Sequence, residues 1–192
     1  MNTAKNHNPL SIRTPLSAGV CASLRAGDMV LLTGEVYTAR DVAHRRLYEA
    51  LKKGLPLPMD LSTATIFYAA PSPTPVGSVI GSIGPTTSYR MDAFTPTLIE
   101  HGLKAMIGKG NRSPAVVEAI KKHGAVYFGA IGGIAALTAR CVKKVELVAY
   151  EDLGPEAIRR LTVVDLPLVV INDADGGDLY VSEQSKWRIV SE

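Results

Sequence analysis

The fold class of this chain is decided by residues 113–130, which read SPAVVEAIKKHGAVYFGA. Proline after Ser113 suits the first position of a helix, and Gly124 suits the position just after the end of one. We therefore predict a helix from Ser113 to Gly124. The apolar run from Ala125 to Ala130 follows at once and predicts a strand. Helix and strand in direct succession indicate an α/β domain.

The same alternation continues on both sides of this stretch. Before it, the pattern predicts a helix from Asp92 to His101, despite Pro96, and a strand from Lys104 to Ile107. After it, the predicted elements are a small-residue helix from Gly132 to Cys141, a strand from Val145 to Tyr150, a helix from Pro155 to Leu161, a strand from Leu168 to Ile171 and a turn over residues 173–177. This order favours a largely parallel core sheet.

The first half of the chain is richer in strand patterns and predicts an additional β layer. Strands are predicted at Met29–Thr33, Thr65–Ala69 and Val79–Ile83. Thr38 is placed as the N-cap of a helix that ends at Gly54, with Asp41 as its capping-box partner. We divide the chain into an N-terminal extension (1–27), an α/β domain (28–180) and a C-terminal tail (181–192).

The composition is that of a globular protein. Of 192 residues, 46% are hydrophobic and 20% are charged, which excludes a disordered chain. The net charge of +3 suits a small anionic ligand as well as nucleic acid. The N-terminus is too polar for a signal peptide, and the longest apolar run contains Asp165 and Pro167, so we expect a soluble, cytoplasmic protein.

The chain contains two cysteines, Cys21 and Cys141, far apart in sequence. They cannot supply the three or four thiolates that an iron–sulfur cluster needs, and no disulfide framework is available. We interpret both as buried structural thiols in a reducing compartment. No metal site is predicted in this chain.

Three segments place cations where an anion could bind. Residues 84–92, GPTTSYRMD, present Thr86, Thr87 and Arg90 just before a helix. Residues 108–114, GKGNRSP, place Lys109 between glycines before the next helix, without the spacing of a phosphate-binding loop. An ordinary capped loop and a solvated basic turn remain the alternatives for these two segments.

The third cationic segment is residues 37–44, YTARDVAH. Arg40 is electrostatically misplaced in the first turn of a helix, which is more common where a residue holds a ligand. Asp41 is also placed to cap this helix, and His44 is interpreted as structural. In a fourth segment, residues 129–136, GAIGGIAA, close helix–strand packing is favoured over a dinucleotide-binding loop.

Together these segments resemble the C-terminal domain of class I (iron–sulfur) fumarases and the β subunit of L-tartrate dehydratase. The resemblance spans Asp28 to Tyr180 and is carried by GPTTSYRMD, KGNRS, KKHGAVYFGAIGG and the stretch from Glu146 to Ile158, in the order of the family. The chain departs from the family at Ile134, where proline is common, and at residues 88–89, where Ala-Gly is common. The stretch 104–109 is one residue shorter than in many relatives.

The resemblance implies a swivelling β/β/α domain and a reversible hydro-lyase reaction on a four-carbon dicarboxylate. A [4Fe–4S] cluster would lie in a separate α subunit, and none would be bound by this chain. The open iron of that cluster would act as a Lewis acid on the substrate hydroxyl. This chain would complete the active site at the interface between the two subunits.

The resemblance also assigns roles to residues. Arg40, Arg90 and Lys109 match the family's substrate-carboxylate ligands, and Thr86 matches a hydroxyl that takes part in proton transfer. A threonine hydroxyl is a poor base unless a neighbour activates it. The activating neighbour could be Asp41, Asp92 or a carboxylate of the partner subunit; Thr87 is a further supporting candidate.

Several functions remain open from the sequence. Hydration of fumarate leads, and L-tartrate dehydration is the same chemistry with one more hydroxyl to accommodate. An RNA- or nucleotide-binding module is the alternative of another class, and it requires exposed aromatics along a basic stripe. A regulatory subunit without activity is a third. The sequence does not decide whether the isolated chain forms homodimers.

Overall fold

A computed structural model of the chain describes residues 8–130 and 133–187. The strands in these ranges are β1 (Leu10–Arg13), β2 (Met29–Thr38), β3 (Thr65–Phe67), β4 (Ala69–Pro71), β5 (Ile83–Pro85), β6 (Ala105–Gly108), β7 (Val126–Gly129), β8 (Val142–Ala149) and β9 (Ile158–Asn172). The helices are α1 (Ala18–Ser23), α2 (Asp41–Lys52), α3 (Thr95–Glu100), α4 (Pro114–His123), α5 (Ala135–Cys141) and α6 (Leu179–Trp187). Short 3₁₀ turns span Ser88–Met91 and Glu151–Glu156.

The helix–strand unit that decides the fold class forms as predicted. Pro114 opens α4, and Gly124 follows its last residue in the left-handed region, at φ 64° and ψ 41°. A side chain at that position would be disfavoured, which is why glycine ends helices in this way. All four residues of β7 are buried.

The core sheet closes on itself. Its strand order is β1-β2-β3-β6-β7-β9-β8, and an additional pairing joins β2 to β9, so that β2, β3, β6, β7 and β9 form a ring. The pairings from β1 to β7 are parallel. Strand β9 is antiparallel to β2, β7 and β8, so the sheet is mixed and not largely parallel. Strands β4 and β5 form a separate two-stranded sheet.

The prediction of a helix from Pro155 to Leu161 is wrong. Residues 151–156 form a 3₁₀ turn, and the 15-residue strand β9 begins at Ile158. Alternate side chains of β9 are buried along much of its length, and its two edges pair with β2 and β8. Tertiary pairing therefore decided the conformation of a segment whose local pattern was ambiguous.

Several boundaries also differ from the sequence expectation. Strand β2 continues to Thr38, whose side chain donates to the Ala157 carbonyl (3.3 Å) instead of capping α2. Val79 lies in a loop before β5 and is 53% exposed, so no strand begins there. The predicted helix start at Gly132 lies outside the described residues, and α5 begins at Ala135.

The segment treated as an N-terminal extension contributes to the core. Strand β1 pairs in parallel with β2, and Ile12, Cys21 and Leu24 are buried in the same hydrophobic cluster as the sheet. The fold therefore includes residues 10–24. Cys21 is fully buried, as expected of a structural thiol.

Two hydrophobic clusters cover the two faces of the sheet. Alternate residues of one strand divide between them: Ala105 and Ile107 belong to one cluster, and Met106 belongs to the other. The second cluster includes Leu47 of α2 and Ile120 of α4, so these helices pack on one face. In the described residues, no helix combines the length and apolar character needed to cross a bilayer.

Candidate anion-binding site

Two of the three predicted cationic segments follow parallel strands of the core sheet, and the third begins in the small sheet. Arg40 comes just after β2, and Lys109 directly after β6; residues 84–92 begin in β5, and the Thr86 N–H donates to the carbonyl of Tyr68, the residue after β3. Since the carboxyl ends of parallel strands lie at one edge of a sheet, the topology brings the segments of Arg40 and Lys109 to the same edge.

Backbone hydrogen bonds join the segment at 86–88 to Lys109. The Thr86 N–H donates to the Tyr68 carbonyl (2.6 Å), and Thr87 pairs with Lys109 as an isolated parallel bridge. The Ser88 N–H donates to the Lys109 carbonyl (2.9 Å). Thr86 is half-buried, and Thr87 and Lys109 are exposed. The structure thus brings Thr87 into register with Lys109, a residue of a different segment.

An acidic residue joins the other two cations. The Arg90 Nε donates to Asp41 Oδ1 at 2.7 Å, and Arg40 Nε lies 4.0 Å from Asp41 Oδ2. Arg40 Nη2 also lies 3.6 Å from Glu156 Oε1. The side chains of Arg40 and Asp41 are about a quarter exposed, and that of Arg90 is 49% exposed. The Arg90 guanidinium is therefore accessible to a ligand, whereas that of Arg40 is partly buried and its Nε is a buried donor without a hydrogen-bond partner in the described residues.

The hydroxyl groups of Ser88 and Tyr127 connect the Lys109 N–H to the Gly110 carbonyl and so fix this loop. The Lys109 N–H donates to Ser88 Oγ (3.1 Å), Ser88 Oγ lies 2.8 Å from the Tyr127 hydroxyl, and that hydroxyl donates to the Gly110 carbonyl (2.9 Å). Because the single proton of the Tyr127 hydroxyl is donated to the Gly110 carbonyl, the Ser88 hydroxyl donates to Tyr127. Burial raises the pKa of Tyr127, so it remains a proton donor at neutral pH.

The position of Ser88 explains a glycine at the end of β6. A Cβ on Gly108 would stand 1.9 Å from Ser88 Oγ and 2.8 Å from a ring carbon of Tyr68. Any larger residue would push the hydroxyl chain away from Lys109. The glycine before Lys109 is therefore required by the close approach of the neighbouring segment.

A fully buried ion pair also joins the segment that carries Lys109 to the segment that carries Arg90. Arg112 Nε donates to Asp92 Oδ1 at 2.8 Å, with side-chain exposures of 0% and 6%. The second oxygen of Asp92 accepts the Ser113 N–H at 2.5 Å. Burial opposes the charge on Arg112, but Tyr68 and the Asp92 carboxylate outweigh it and raise its pKa. Both oxygens of Asp92 are therefore engaged away from the surface.

His44 supports Arg40 from inside the fold. Its Nδ1 lies 3.0 Å from the Arg40 carbonyl, which can only accept, so the proton is on Nδ1. The ring packs edge-on against Tyr68, with centroids 5.0 Å apart. Burial lowers the pKa of His44 to about 4 from its ordinary 6.5, so it is neutral at pH 7. This agrees with the structural role predicted for it.

Sequence reasoning named the surface cations but missed the buried residues that hold them. Arg112, Ser88 and Tyr127 were quoted within motifs without a role. One signal was available, because Arg112 and Tyr127 are polar residues beside or within predicted buried elements, where they need partners. In the fourth segment, Gly129 packs against Ile171, while Ile131 and Gly132 lie outside the described residues.

The described residues do not offer a ligand set for a metal cluster. No group of three or more histidine, cysteine, aspartate or glutamate side chains comes together in residues 8–130 and 133–187. Cys21 is buried in the core and Cys141 lies at the end of α5. We therefore assign no step of any reaction to a cluster held by this chain.

Three aromatic residues near the site are not available to nucleic acid. Tyr68, Tyr127 and Phe128 are fully buried, so their faces cannot stack on bases. Tyr89 is the exception near the site, at 66% exposed, and it stands beside Arg90. Buried aromatics and a cluster of surface cations fit a small anion better than a single strand of RNA.

Comparisons with known proteins show the family to which the sequence is similar. A sequence profile of the family described as Fumarase C-terminus matches residues 2–183. The L(+)-tartrate dehydratase subunit beta of Escherichia coli (strain K12) is 38% identical over 180 residues, which cover 91% of this chain and 88% of that protein. The anaerobic class I fumarate hydratase of the same strain is 44% identical over 151 residues, or 78% of this chain.

A third relative extends the match beyond bacteria. Fumarate hydratase 2 of Leishmania major is 42% identical over 156 residues, or 80% of this chain. This chain spans 28% of the length of each of these two fumarate hydratases. The similarity to fumarate hydratases is therefore to one part of them, whereas the similarity to the tartrate dehydratase subunit is nearly end to end.

Proposed function

This chain belongs to the fumarase C-terminus family, and from that membership we propose that it acts as the β subunit of a hydro-lyase that reversibly hydrates fumarate to malate. The observation that carries the proposal is that Asp41 joins Arg40 and Arg90, while the backbone of the segment before Arg90 pairs with Lys109. A dicarboxylate needs at least two cationic partners, and arginine matches the planar geometry of a carboxylate.

The three cations divide the binding of the substrate. Arg90 uses its Nε for Asp41, so its two Nη groups are left for a substrate carboxylate in the described structure. Arg40 is held beside the same aspartate, and Lys109 is fixed by its backbone next to Thr87. In this proposal Asp41 orients the two guanidinium groups, and Thr87 supports the position of Lys109.

Thr86 is proposed to take part in moving the proton on the carbon beside a carboxylate. Cations around that carboxylate stabilise the charge that develops when the C–H bond breaks. The hydroxyl needs an activating base, and Asp92 is committed to Arg112 and Ser113. Asp41 is paired with Arg90, so we propose that the activating group comes from the partner subunit and that Asp92 plays a supporting part.

The partner in this proposal is a separate α subunit that carries a [4Fe–4S] cluster. Such a cluster would supply a Lewis-acidic iron for the substrate hydroxyl. The proposal of a partner subunit is supported by the nearly end-to-end similarity to the Escherichia coli L(+)-tartrate dehydratase subunit beta. The ring of strands with helices packed on one face is proposed to be the swivelling β/β/α domain of the family.

Dehydration of L-tartrate is the second candidate. It is favoured by one observation, the 88% coverage of the Escherichia coli L(+)-tartrate dehydratase subunit beta. The exposed Tyr89 beside Arg90 offers a phenol hydroxyl at the rim, where an additional substrate hydroxyl could be recognised.

Anaerobic co-expression with a cluster-bearing partner tests the proposal. Fumarate hydration and L-tartrate dehydration are assayed for each chain alone and for the complex. We expect turnover that requires both chains, and the preferred substrate decides between the two candidates. A stable complex with an intact cluster and no turnover on either substrate would refute the proposed reaction.

A further inference from the structure

We propose that the buried pair of Arg112 and Asp92 sets the spacing between Lys109 and Arg90, and thereby the length of dicarboxylate that the site accepts. The inference rests on the proposed function, because it takes these two cations as carboxylate ligands. It assigns to Arg112 and Asp92 a positioning role for which they need not touch the substrate.

The pair connects the two ligand-bearing loops at fixed offsets. Asp92 lies two residues after Arg90, and Arg112 lies three residues after Lys109. Asp92 receives both the Arg112 guanidinium (2.8 Å) and the Ser113 N–H (2.5 Å), one bond on each carboxylate oxygen. A movement of either loop relative to the other therefore stretches two charge-assisted hydrogen bonds.

The guanidinium of Arg112 has no freedom to follow such a movement. It lies over the rings of Tyr127 and Tyr68, with its carbon 4.8 and 5.2 Å from their centroids. Its Nη2 donates to Thr95 Oγ1 (3.0 Å), and that hydroxyl donates to the Met91 carbonyl (2.9 Å). The side chain is wholly shielded from water. Arg112 is therefore a rigid connection between the loop of Lys109 and the loop of Arg90.

A second connection, which shares Tyr127 with the first, reinforces it. Tyr127 lies under Arg112 and also donates to the Gly110 carbonyl, while Ser88 joins it to the Lys109 N–H. Both connections end on residues beside the proposed ligands. Stability alone does not account for a sealed ion pair, because well-packed apolar residues commonly serve as well at such positions. The geometry of the two loops is what the pair specifies.

The test compares inhibition constants for malonate, succinate and glutarate, which have three, four and five carbons. The wild-type complex is compared with Arg112→Lys, which keeps the charge but loses the fork that reaches Thr95. We expect the preference for succinate over glutarate to fall by about tenfold or more, since small misplacements in a site have large effects. The ratio of the inhibition constants for glutarate and succinate does not depend on the fraction of the protein that is active.

Leu32→Ala is the matched control, because Leu32 is fully buried in the other hydrophobic cluster. It should lower thermal stability and the yield of active complex without changing the preference for succinate. The same outcome for Arg112→Lys would overturn the inference, because the pair would then be merely structural. If Arg112→Lys does not fold, Thr95→Val removes a single partner of the guanidinium and is held to the same criterion.

Calorimetric binding of the three dicarboxylates separates this inference from the proposed reaction. Binding by the wild-type complex without turnover would refute the reaction and leave the length preference to be compared among variants. Absence of binding to any of the three would overturn both. Hydrogen exchange of the Lys109 and Ser113 amides in the full chain should accelerate in Arg112→Lys and remain unchanged in Leu32→Ala. Unchanged exchange in both variants would contradict the rigid connection between the two loops.

Discussion

Two arginine–aspartate ion pairs belong to the candidate site and its support. They differ in exposure to water and in the number of additional hydrogen-bond partners. Arg90 and Asp41 meet through one guanidinium nitrogen at 2.7 Å, and the arginine side chain is 49% exposed. Arg112 and Asp92 meet at 2.8 Å with side-chain exposures of 0% and 6%, and further donors complete the network. The bond lengths are similar, so exposure and the number of additional partners distinguish the two.

The difference indicates which pair can change partners. A solvent-screened pair contributes little to stability, so Arg90 can exchange Asp41 for a ligand carboxylate at small cost. A sealed pair cannot open without leaving a buried charge uncompensated. The open pair is therefore suited to binding and the sealed pair to holding the loops. Four measurements test this comparison.

The largest effect is expected from removing the cation of the sealed pair. Arg112→Met should lower the free energy of unfolding by about 3–5 kcal/mol, because Asp92 is left buried without a counter-ion. Urea denaturation of the full chain measures it. The double variant Arg112→Met/Asp92→Leu should recover most of the loss. A loss below about 1 kcal/mol in the single variant would show that the pair is not sealed in solution.

Removing the cation of the open pair should affect function and spare the fold. Arg90→Ala should reduce kcat/KM of the assembled enzyme by about 10- to 100-fold or more, since a charged hydrogen bond contributes about 1.5–3 kcal/mol. Its unfolding free energy should change by less than about 0.5 kcal/mol, and subunit association should persist. Full activity in this variant would refute the assignment of Arg90 as a ligand.

The buried histidine beside the sealed pair gives a pH-dependent effect. The folded-state pKa of His44 is about 4 and its ordinary value is 6.5, so the unfolded chain binds the proton more readily between these values. The stability that neutral, buried His44 contributes is therefore present above pH 6.5 and is lost as the pH falls towards 4. About 2 kcal/mol should be lost between pH 7 and pH 5 through this residue.

Denaturation curves at several pH values measure the contribution of His44. In His44→Asn, whose amide can still donate to the Arg40 carbonyl, this part of the pH dependence should disappear. His101 is exposed, and His101→Gln should leave the dependence in place. An identical pH profile in wild type and His44→Asn would contradict the assignment.

The smallest effect is expected at an exposed pair outside the site. Arg25 and Asp175 meet at 3.0 Å with side-chain exposures of 53% and 63%. Arg25→Ala should change the unfolding free energy by about 0–1 kcal/mol and leave kcat/KM unchanged. It is the matched control for Arg90→Ala. A loss of turnover in this variant would mean that removing any surface arginine disturbs the assembly.

The elements that local chemistry specifies were predictable. Helix α4 has Pro114 at its start and Gly124 at its end, and the apolar run after it forms β7. Strand β9 was not predictable to the same degree, because Asp165 at φ 50° and Pro167 interrupt its pattern. Its conformation depends on pairing with β2 and β8, which are distant in sequence.

The cationic segments of the candidate site could be singled out from the sequence, and the buried residues that hold them could not. Local patterns singled out the segments of Arg40, Arg90 and Lys109 as places where an anion could bind, and the resemblance to the family assigned the three residues as carboxylate ligands, which stays a prediction. The contact of Asp41 with Arg90 spans 49 residues, and that of Asp92 with Arg112 spans 20. No local pattern distinguishes an aspartate that orients a ligand group from one that is sealed inside the fold.

Local residue chemistry was enough to determine the α/β class, the main helix–strand unit and the three cationic segments, because turns, caps and periodicity act over a few residues. Only the tertiary structure decided that the sheet closes through β9 and that the three segments come into contact. It also decided which arginine is buried. Burial depends on neighbours from distant parts of the chain, and burial determines whether a charge binds a ligand or holds the fold.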